Sequence, residues 1–407
     1  MNNKKKVTVI GLGYIGLPTA VLLTQNGYIV SGVDTNTEIV NLVNEGKSHI
    51  NEPELTKALE KAVIDKKLQA FCEIQEGDIF IICVPTPLLE IENRKIPEMR
   101  FVEESLKMIS QKVKENNFII LESTSPVGTT KIISKAISEM NNINISNINI
   151  GYCPERVLPG DIMNELITND RIVGGISEKS TREIANFYRT FVRGNVYETN
   201  AETAEICKLA ENSYRDVNIA FANEIEMLCN DFKVDSRELI SLANKHPRVS
   251  ILDPGIGVGG HCIAVDPHFL ISQNPENSEL INMARLVNKK QTRLVIEDID
   301  KRIRLIKNKK NLPLKITVLG LAYKPDVGDI RESPAMQIYN QLKQSEDYIM
   351  AVDPLLSNLK NIKLFTLSEA IGISDLVICL VKHSYFKEEL NKKIIGESNY
   401  IDYCNLI

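Results

Sequence analysis

A glycine-dense loop around one cysteine is the part of the sequence whose residue types best suit nucleophilic chemistry. Gly255 to Cys262 read GIGVGGHC, and Asp266 follows four residues after the cysteine. Glycines remove steric cover from a thiol and expose backbone N–H groups, which a nucleophilic thiolate needs. A cysteine taken alone is more often a small buried hydrophobe, and the glycine density makes that explanation less attractive here. His261 adjoins the thiol, but neighbouring side chains need not face each other, so we do not assign it as a base.

A second set of polar side chains lies on a long predicted helix. Lys208, Asn212 and Arg215 are spaced four and then three residues apart, so we expect them on one helix face. Glu211 and Asp216 are expected on other faces. A lysine and an asparagine one turn apart, beside a binding domain, can polarise a substrate oxygen and transfer a proton. Taken alone, charges on a helix are usually a solvated surface.

The N-terminal residues carry the strongest local signal, a dinucleotide-binding fingerprint. Gly11, Gly13 and Gly16 directly follow the apolar run VTVI and open a helix. Such glycines allow a tight turn and let backbone N–H groups approach a pyrophosphate at the helix N-terminus. Asp34 ends the next strand, and a carboxylate there accepts hydrogen bonds from ribose hydroxyls and repels a 2′-phosphate. We therefore expect NAD as the cofactor, and the alternative is a glycine-rich turn in a domain that binds none.

Two proline-containing turns each close a further predicted strand. They read VPTP, with Thr86, and STSPVG, with Thr124. Ligands of open parallel sheets bind at the carboxyl ends of the strands, so both hydroxyls are candidates for contact with the cofactor or with a water. Ordinary turn chemistry accounts for these residues equally well.

The elements that must position these residues alternate between strand and helix in the N-terminal part, which predicts a doubly wound parallel sheet. From residue 201, about thirty residues without glycine or proline follow, AETAEICKLAENSYRDVNIAFANEIEMLCNDF. At about 1.5 Å per residue they predict a helix more than ~40 Å long, suited to connecting domains or forming a dimer interface. Later, ITVLGLAY…VDP repeats VTVIGLGY…VDT, with Ala322 in place of the second glycine. We therefore expect a second Rossmann-like unit that does not cradle a pyrophosphate in the same way.

Composition excludes several classes of protein. The 407 residues include 48 Lys plus Arg against 53 Asp plus Glu, a formal net charge of −5, which argues against a dedicated nucleic-acid partner. The eight cysteines show no CxxC spacing, so we expect no metal site and no disulfide framework, and a reducing, cytoplasmic location. The basic, apolar N-terminus superficially resembles a signal peptide, but three glycines and Pro18 interrupt it. Without an apolar run of about 18 residues, no membrane span is expected.

Taken together and in order, the motifs resemble the UDP-glucose/GDP-mannose dehydrogenase family over essentially the whole chain. They are GLGYIGLP, VPTP, ESTSPVGTT, YCPERVLPGD, EICKLAENSYRDVNIAFANE, GVGGHCIAVDPHF and GLAYKPDVGDIRESPA. The resemblance implies an α/β fold of two Rossmann-like, doubly wound parallel-sheet domains joined by a long central helix. It implies that residues 1–200 bind NAD, that 201–305 form a central helical and dimerisation domain with the catalytic Lys and Cys, and that 306–407 bind a UDP-sugar. The expected assembly is a homodimer or a dimer of dimers.

The same resemblance implies two successive oxidations of the C6 hydroxyl of the sugar, through the aldehyde to the carboxylate, with two NAD consumed, to feed surface polysaccharide synthesis. CPERVLPG, KHPRVSILDPGIGVGGHCIAVDP and the context of Arg215 favour UDP-N-acetyl-D-mannosamine as the substrate, with UDP-N-acetylglucosamine as the alternative. In the UDP-glucose branch a lysine usually precedes the loop aspartate. Val265 stands there instead, which moves the chain toward the N-acetylated sugars.

Matched position by position, the resemblance also implies roles for single residues. Cys262 is the nucleophile and Lys208 the general acid/base. Asn212 and Asp266 orient a water or stabilise an oxyanion, Glu155 lies near the reacting group, and Thr124 lies near the catalytic water. The implied cofactor positions are Gly11, Gly13, Tyr14, Ile15, Gly16, Asp34, Thr86, Thr124 and Arg331. The implied substrate positions are Arg156, Val157, Lys208, Asn212, Arg215, His246, Arg248, Gly259, Tyr323 and Lys324.

Two other functions fit part of this pattern. A dehydrogenase of the β-hydroxyacid type also pairs a Rossmann domain with a Lys-x-x-x-Asn helix, but it performs one oxidation and needs no Cys262. A catalytically idle module that binds NAD or a sugar nucleotide would not need Lys208 or Cys262, and both are present.

Overall fold

The computed structural model contains two compact units, each built around one Rossmann-like sheet, as the sequence predicts. Unit 1 comprises Met1–Ala210 and His268–Gln273, and unit 2 comprises Glu211–Pro267 and Asn274–Ile407. The structure describes residues 5–50, 52–92, 94–157, 160–310, 313–346, 348–357, 359–390 and 399–406.

The sheet of unit 1 has eight strands in the order β10-β9-β8-β7-β4-β1-β2-β3, and β5 and β6 form a separate antiparallel hairpin. Neighbouring strands of the sheet run parallel except β8 and β9. The strands are β1 (Lys6–Ile10), β2 (Ile29–Val33), β3 (Leu68–Phe71), β4 (Ile79–Ile82), β5 (Leu88–Ile91), β6 (Arg94–Pro97), β7 (Phe118–Leu121), β8 (Asn149–Tyr152), β9 (Arg171–Gly175) and β10 (Val196–Asn200).

Helices cover both faces of this sheet, which explains why its central strands are apolar throughout. In β4, Ile79 and Ile81 pack into one hydrophobic core, and the alternate residues Phe80 and Ile82 pack into another. Alternation of side chains along a strand therefore feeds a core on each face. The helices are α1 (Gly16–Gln25), α2 (Thr37–Asn44), α3 (Pro53–Ile64), α4 (Arg100–Ser110), α5 (Thr129–Asn141), α6 (Ile162–Thr168), α7 (Glu178–Tyr188) and the start of α8 (Ala201–Phe232).

Unit 2 begins within α8 and carries a four-stranded parallel sheet in the order β12-β11-β13-β14. Its strands are β11 (Lys315–Leu319), β12 (Tyr348–Val352), β13 (Leu376–Cys379) and β14 (Asn399–Asp402). The further helices of the chain are α9 (Ser236–Ala243), α10 (Pro267–Gln273), α11 (Glu279–Lys310), α12 (Pro334–Ser345), α13 (Leu367–Ile371) and α14 (Ser384–Leu390).

Unit 2 contains most of one long helix, α8, and the whole of another, α11. Only α8 was predicted from the sequence. Helix α8 has 32 residues, as the absence of glycine and proline predicts. Helix α11 also has 32 residues and was not singled out, although it too lacks glycine and proline. The boundary predicted between residues 305 and 306 lies inside α11. Among the described residues, no helix combines the length and the apolar composition that crossing a bilayer requires.

Candidate active site

The glycine turn between β1 and α1 is shaped partly by protein packing and partly by open space. Gly11 has φ +88°, and a Cβ there would lie 2.7 Å from the carbonyl oxygen of Cys83. A Cβ on Gly16 would collide with the Gly11 carbonyl oxygen. A Cβ on Gly13 would meet no protein atom of the described chain within 4 Å. Packing therefore requires glycine at the first and third positions, whereas the free space at Gly13 suits the close approach of a ligand.

The surroundings of this turn fit the pyrophosphate and ribose of NAD. Among the described residues, no side chain caps the N-terminus of α1, where Ile15 is the N-cap residue. Its first-turn N–H groups can therefore face an anion. The half-buried carboxylate of Asp34 is oriented by the N–H of Leu12 (2.9 Å to Oδ2) and that of Asn36 (2.9 Å to Oδ1). The hydroxyl of Tyr14 lies 3.3 Å from Glu52, whose carboxylate also accepts the N–H of Gly160 at 2.7 Å.

The two predicted turn threonines lie at the same edge of the sheet as the glycine turn. Thr86 follows β4 and Thr124 follows β7, and β7, β4 and β1 are adjacent parallel strands. Both residues are half-buried. The carboxyl ends of these strands form the crevice in which open parallel sheets bind ligands.

The side chain of Lys208 donates a hydrogen bond to the backbone of the segment that follows β8. Its Nζ donates to the carbonyl oxygen of Glu155 at 2.8 Å. The Glu155 carboxylate, predicted to lie near the reacting group, accepts the N–H of Arg156 at 2.7 Å and pairs with Arg171 Nη1 at 2.5 Å. The side chains of Arg171 and Glu155 are only 2% and 6% exposed. The ion pair thus fixes the peptide that receives Lys208. Val157 packs against the core of unit 1.

Several buried polar side chains lie near this ion pair, and the sequence did not predict them. Glu122 accepts hydrogen bonds from the Tyr188 hydroxyl (2.6 Å) and the Cys83 thiol (3.2 Å). Burial raises the pKa of Glu122 and, together with Glu122, that of Cys83. Burial also raises the pKa of Cys153 to about 12. A raised thiol pKa keeps a cysteine unreactive, so Cys83 and Cys153 are poor nucleophiles.

In unit 2, side chains of α8 and α11 hold the start of the cysteine loop by its backbone. Asn223 Oδ1 accepts the N–H of Gly255 at 2.9 Å, and Gln291 Nε2 donates to the Gly255 carbonyl at 3.0 Å. Thr292 Oγ1 donates to the carbonyl of Ile256 at 2.8 Å. Hydrogen bonds of this kind, one buried and two partly buried, fix the conformation of the loop that leads to Cys262.

Further along, the loop packs flat against the segment after β11, which explains its glycines. A Cβ on Gly259 would lie 2.6 Å from the Glu332 carbonyl oxygen, and one on Gly260 would lie 2.8 Å from the ring of Tyr323. The N–H of Gly260 donates to the carbonyl of Arg331 at 3.0 Å. Burial raises the pKa of Tyr323, and the neighbouring Asp329 and Cys262 raise it further. Tyr323, a predicted substrate residue, therefore lies beside the loop of the predicted nucleophile.

Three of the predicted catalytic residues meet within unit 2. Half-buried Cys262 begins a turn in which its carbonyl accepts the N–H of Asp266 at 2.8 Å. The buried Asp266 carboxylate accepts a hydrogen bond from Asn212 Nδ2 at 2.6 Å. Lys208 lies one turn before Asn212 on α8. The turn that carries the thiol is thus tied to α8 through Asn212.

The prediction that Asp216 lies on a different helix face from Lys208, Asn212 and Arg215 is wrong with respect to Asn212. Asp216 is fully buried beside α11 and accepts hydrogen bonds from Arg285 (2.6 Å) and Asn288 (2.8 Å). At about 100° per residue, Asp216 lies about 40° from Asn212 around the helix, and Arg215 about 60° away on the other side. Arg215 is exposed.

The remaining predicted substrate and cofactor residues of unit 2 lie on two segments. His246 and Arg248 belong to an exposed segment closed by the side chain of Asn244 on the backbone of Ile251 (2.9 and 2.7 Å). Half-buried Lys324 follows Tyr323. Arg331, a predicted cofactor residue, makes a bidentate pair with Asp329 at 3.0 and 2.6 Å.

Family models match nearly the whole chain. Residues 5–192 match the NAD binding domain of the UDP-glucose/GDP-mannose dehydrogenase family, 202–290 its central domain and 317–407 its UDP binding domain. The chain belongs to the UDP-glucose/GDP-mannose dehydrogenase family. Its cofactor is NAD, as the glycine turn and Asp34 predict.

Relatives within this family share both sequence and fold with the chain. It is 46% identical to a UDP-N-acetyl-D-mannosamine dehydrogenase of Campylobacter jejuni, over 97% of this chain and 100% of that protein. It is 41% identical to an NDP-N-acetyl-D-galactosaminuronic acid dehydrogenase of Ralstonia solanacearum, over 94% and 92% of the two chains. A solved UDP-D-ManNAc dehydrogenase from Pyrococcus horikoshii is 36% identical, with a TM-score of 0.89 over 99% of this chain and 96% of that one.

Unit 2 of this dehydrogenase also contains a group of possible metal ligands that the sequence did not predict. The thiols of Cys379 and Cys404 lie 3.3 Å apart, and the Asp402 carboxylate is close to both. The two carboxylate oxygens accept the N–H groups of Cys404 (2.9 Å) and Leu406 (2.7 Å). This carboxylate therefore has a structural role at the end of β14.

Proposed function

We propose that this chain oxidises the C6 hydroxyl of UDP-N-acetyl-D-mannosamine to the carboxylate, in two steps on one enzyme. The observation that carries the substrate assignment is the 46% identity, over 97% of the chain, to the Campylobacter jejuni relative with that name. Val265 ahead of the loop aspartate supports the same class of N-acetylated sugar. The product would feed the synthesis of a surface polysaccharide.

The glycine turn and Asp34 would hold NAD, which when bound accepts one hydride in each of the two oxidations. In the first oxidation, the neutral amine of Lys208 takes the proton of the C6 hydroxyl as the C6 hydride leaves, which gives the aldehyde and the Lys208 ammonium. The Cys262 thiolate then adds to the aldehyde carbon and forms a thiohemiacetal. Asn212 and Lys208 supply hydrogen-bond donors for its oxyanion.

The second oxidation removes the remaining C6 hydride from the thiohemiacetal and leaves a thioester on Cys262. Attack by water on the thioester releases the carboxylate and regenerates the thiol. The buried Asp266 carboxylate and the Thr124 hydroxyl are assigned to orienting that water. Glu155 is assigned to placing Lys208, because its carbonyl accepts the Lys208 ammonium at 2.8 Å.

We further propose that the enzyme is a homodimer that pairs along α8. Large apolar side chains recur on the exposed face of this helix at seven-residue spacing, at Tyr214, Phe221 and Leu228, and then at Phe232. Tyr214 and Phe232 are 70% and 75% exposed, which is unusual for residues of this size unless a partner covers them. Phe221→Glu should convert a dimer to a monomer in analytical ultracentrifugation, and an unchanged mass would refute this interface.

We also propose a cytoplasmic location for the enzyme, since the eight cysteines are all free.

The substrate assignment is tested with a panel of nucleotide sugars. Purified protein with excess NAD should give a higher kcat/KM on UDP-N-acetylmannosamine than on UDP-N-acetylglucosamine, UDP-N-acetylgalactosamine or UDP-glucose. A preference for the galacto isomer would instead align the chain with the Ralstonia relative, and a preference for the gluco isomer would select the alternative drawn from the sequence.

A further inference from the structure

A fully buried histidine after β13 connects two segments of the second Rossmann-like unit. His383 Nδ1 accepts the backbone N–H of Asp326 at 3.0 Å. His383 Nε2 lies 3.3 Å from Oδ2 of Asp353, the aspartate at the end of β12. Because Nδ1 is an acceptor, the proton of a neutral ring is on Nε2, the nitrogen that faces the carboxylate.

The segment that His383 contacts is tied back to it a second time. The Asp326 carboxylate accepts the N–H of Ser384 at 2.9 Å and its hydroxyl at 2.7 Å. Asp326 has φ +57°, a left-handed conformation that residues other than glycine adopt infrequently. The paired contacts of His383 and Ser384 hold this residue in that conformation.

The same segment carries the predicted substrate residues and reaches the nucleophile loop. Tyr323 and Lys324 lie three and two residues before the contact at Asp326, and the N–H of Tyr323 donates to the carbonyl of Asp329 at 3.0 Å. At its far end, the Arg331 carbonyl accepts the N–H of Gly260 at 3.0 Å. A shift of Asp326 would therefore move groups at both ends of the segment.

We propose that His383 is a positioning residue for the nucleotide sugar, because its Nδ1 holds Asp326 and with it the segment 321–331. The inference rests on the proposed function in taking a UDP-sugar as the ligand of this segment. His383 itself is buried behind the segment and acts through it.

Two substitutions separate the two nitrogens of the ring. His383→Asn keeps an acceptor near the position of Nδ1 but does not reach Asp353. His383→Gln can reach Asp353 but places no acceptor at the Nδ1 position. The matched control is Ser374→Ala, which removes two buried hydrogen bonds of the same unit, one with Thr317 (2.6 Å) and one to the Ala370 carbonyl (2.6 Å), and neither partner belongs to the segment.

Each protein is titrated with UDP and with NAD by calorimetry, and assayed with the preferred UDP-sugar. His383→Gln should raise the Kd for UDP and the KM for the UDP-sugar about tenfold or more, with kcat within about threefold and the Kd for NAD unchanged. His383→Asn and Ser374→Ala should bind UDP within about threefold of the wild type. Equal losses in the Asn and Gln variants, or no loss in either, would overturn the proposal.

Two further measurements keep the outcome decisive. If His383→Gln does not fold, ¹⁵N NMR of the histidine rings in the wild type must show His383 as the neutral Nε2–H tautomer, and the Nδ1–H tautomer would refute the role assigned to Nδ1. If the wild type oxidises no UDP-sugar, the proposed function fails. The role of His383 is then judged by UDP binding alone.

Discussion

Each Rossmann-like unit has a glycine turn of the same backbone conformation, but the side chains around the two turns differ. Gly11 and Gly320 have nearly the same φ, +88° and +86°. Each donates its N–H at 2.8 Å to the carbonyl oxygen of the last residue of the next strand along the chain, Val33 in β2 and Val352 in β12. Asp34 is half-buried and its Oδ2 accepts one turn N–H, whereas Asp353 is 6% exposed and its Oδ2 accepts two.

The side chains around the two aspartates account for the different ligands of the two units. In the second unit, His383 faces Asp353 and buried Ala322 occupies the position that corresponds to Gly13. In the first unit, no atom of the described residues lies within 4 Å of a Cβ placed on Gly13. A repeated backbone turn therefore binds a dinucleotide only where side chains leave its aspartate and middle glycine accessible.

The most severe test of this comparison is to fill the open space of the first turn. Gly13→Val should raise the Kd for NAD at least about 100-fold, equivalent to about 2.7 kcal/mol. The folded protein should persist, because a Cβ at this position meets no described atom within 4 Å. Calorimetric titration with NAD and a thermal melt of the same sample measure the two effects. A large fall in Tm with normal NAD affinity would show that the glycine serves packing and not the ligand.

The carboxylate of the first unit gives the next largest effect. Asp34→Ala should weaken NAD binding about 10–100-fold, since a hydrogen bond to a charged group contributes about 1.5–3 kcal/mol. Asp34→Asn is the matched control, because its amide oxygen can still accept the Leu12 N–H. Wild type should use NADP poorly. A wild-type kcat/KM for NADP equal to that for NAD would contradict the role of Asp34.

Asp353 should affect stability where Asp34 affects binding. Burial alone would raise the pKa of Asp353, but His383 and the N–H donors of Leu321 and Leu355 offset burial and hold this pKa below its usual range. A depressed pKa contributes stability at neutral pH that is lost as pH falls below about 4. Asp353→Asn should lower the free energy of unfolding by about 1–3 kcal/mol at pH 7 and flatten its fall in acid. Thermal melts from pH 7 to pH 3 measure both effects. If Asp353→Asn unfolds like the wild type at every pH, the carboxylate does not stabilise the protein.

The smallest effect is expected from restoring the missing glycine. Ala322→Gly should leave one NAD bound per chain, because His383 still faces Asp353, and should change stability by about 1 kcal/mol or less. Calorimetric stoichiometry is the readout. Two NAD per chain in this variant would mean that the alanine, and not the histidine, closes the second turn.

The sequence predicted the local features of the fold and site, and missed those that depend on distant partners. Glycine turns and the 32-residue helix α8 are encoded by neighbouring residues, and both were predicted. Asn223 and Gln291 bind the cysteine loop from 32 and 36 residues away, so no local pattern links them to it. A signal was available for Asn223, which lies eleven residues, about three helical turns, after Asn212 and so shares its face.

Other misses have the same cause. Arg171 reaches Glu155 across 16 residues, and His383 reaches Asp326 across 57. The antiparallel pairing of β8 and β9 was also not predicted, because the residues of a strand do not specify the direction of its neighbour. The role of a buried polar side chain depends on which elements the fold brings together, and that information is not local.

The central claim is that Cys262 carries the sugar through a covalent second oxidation, and the yield of NADH at limiting UDP-sugar tests it most directly. Wild type should release two NADH per UDP-N-acetylmannosamine, with no free aldehyde. Cys262→Ala should still bind NAD and UDP, yet its turnover should fall by orders of magnitude, at about 1.4 kcal/mol of lost transition-state stabilisation per tenfold, and it should form no carboxylate. One NADH per sugar in the wild type, or near-normal turnover in Cys262→Ala, would contradict the account and favour a single-step dehydrogenase.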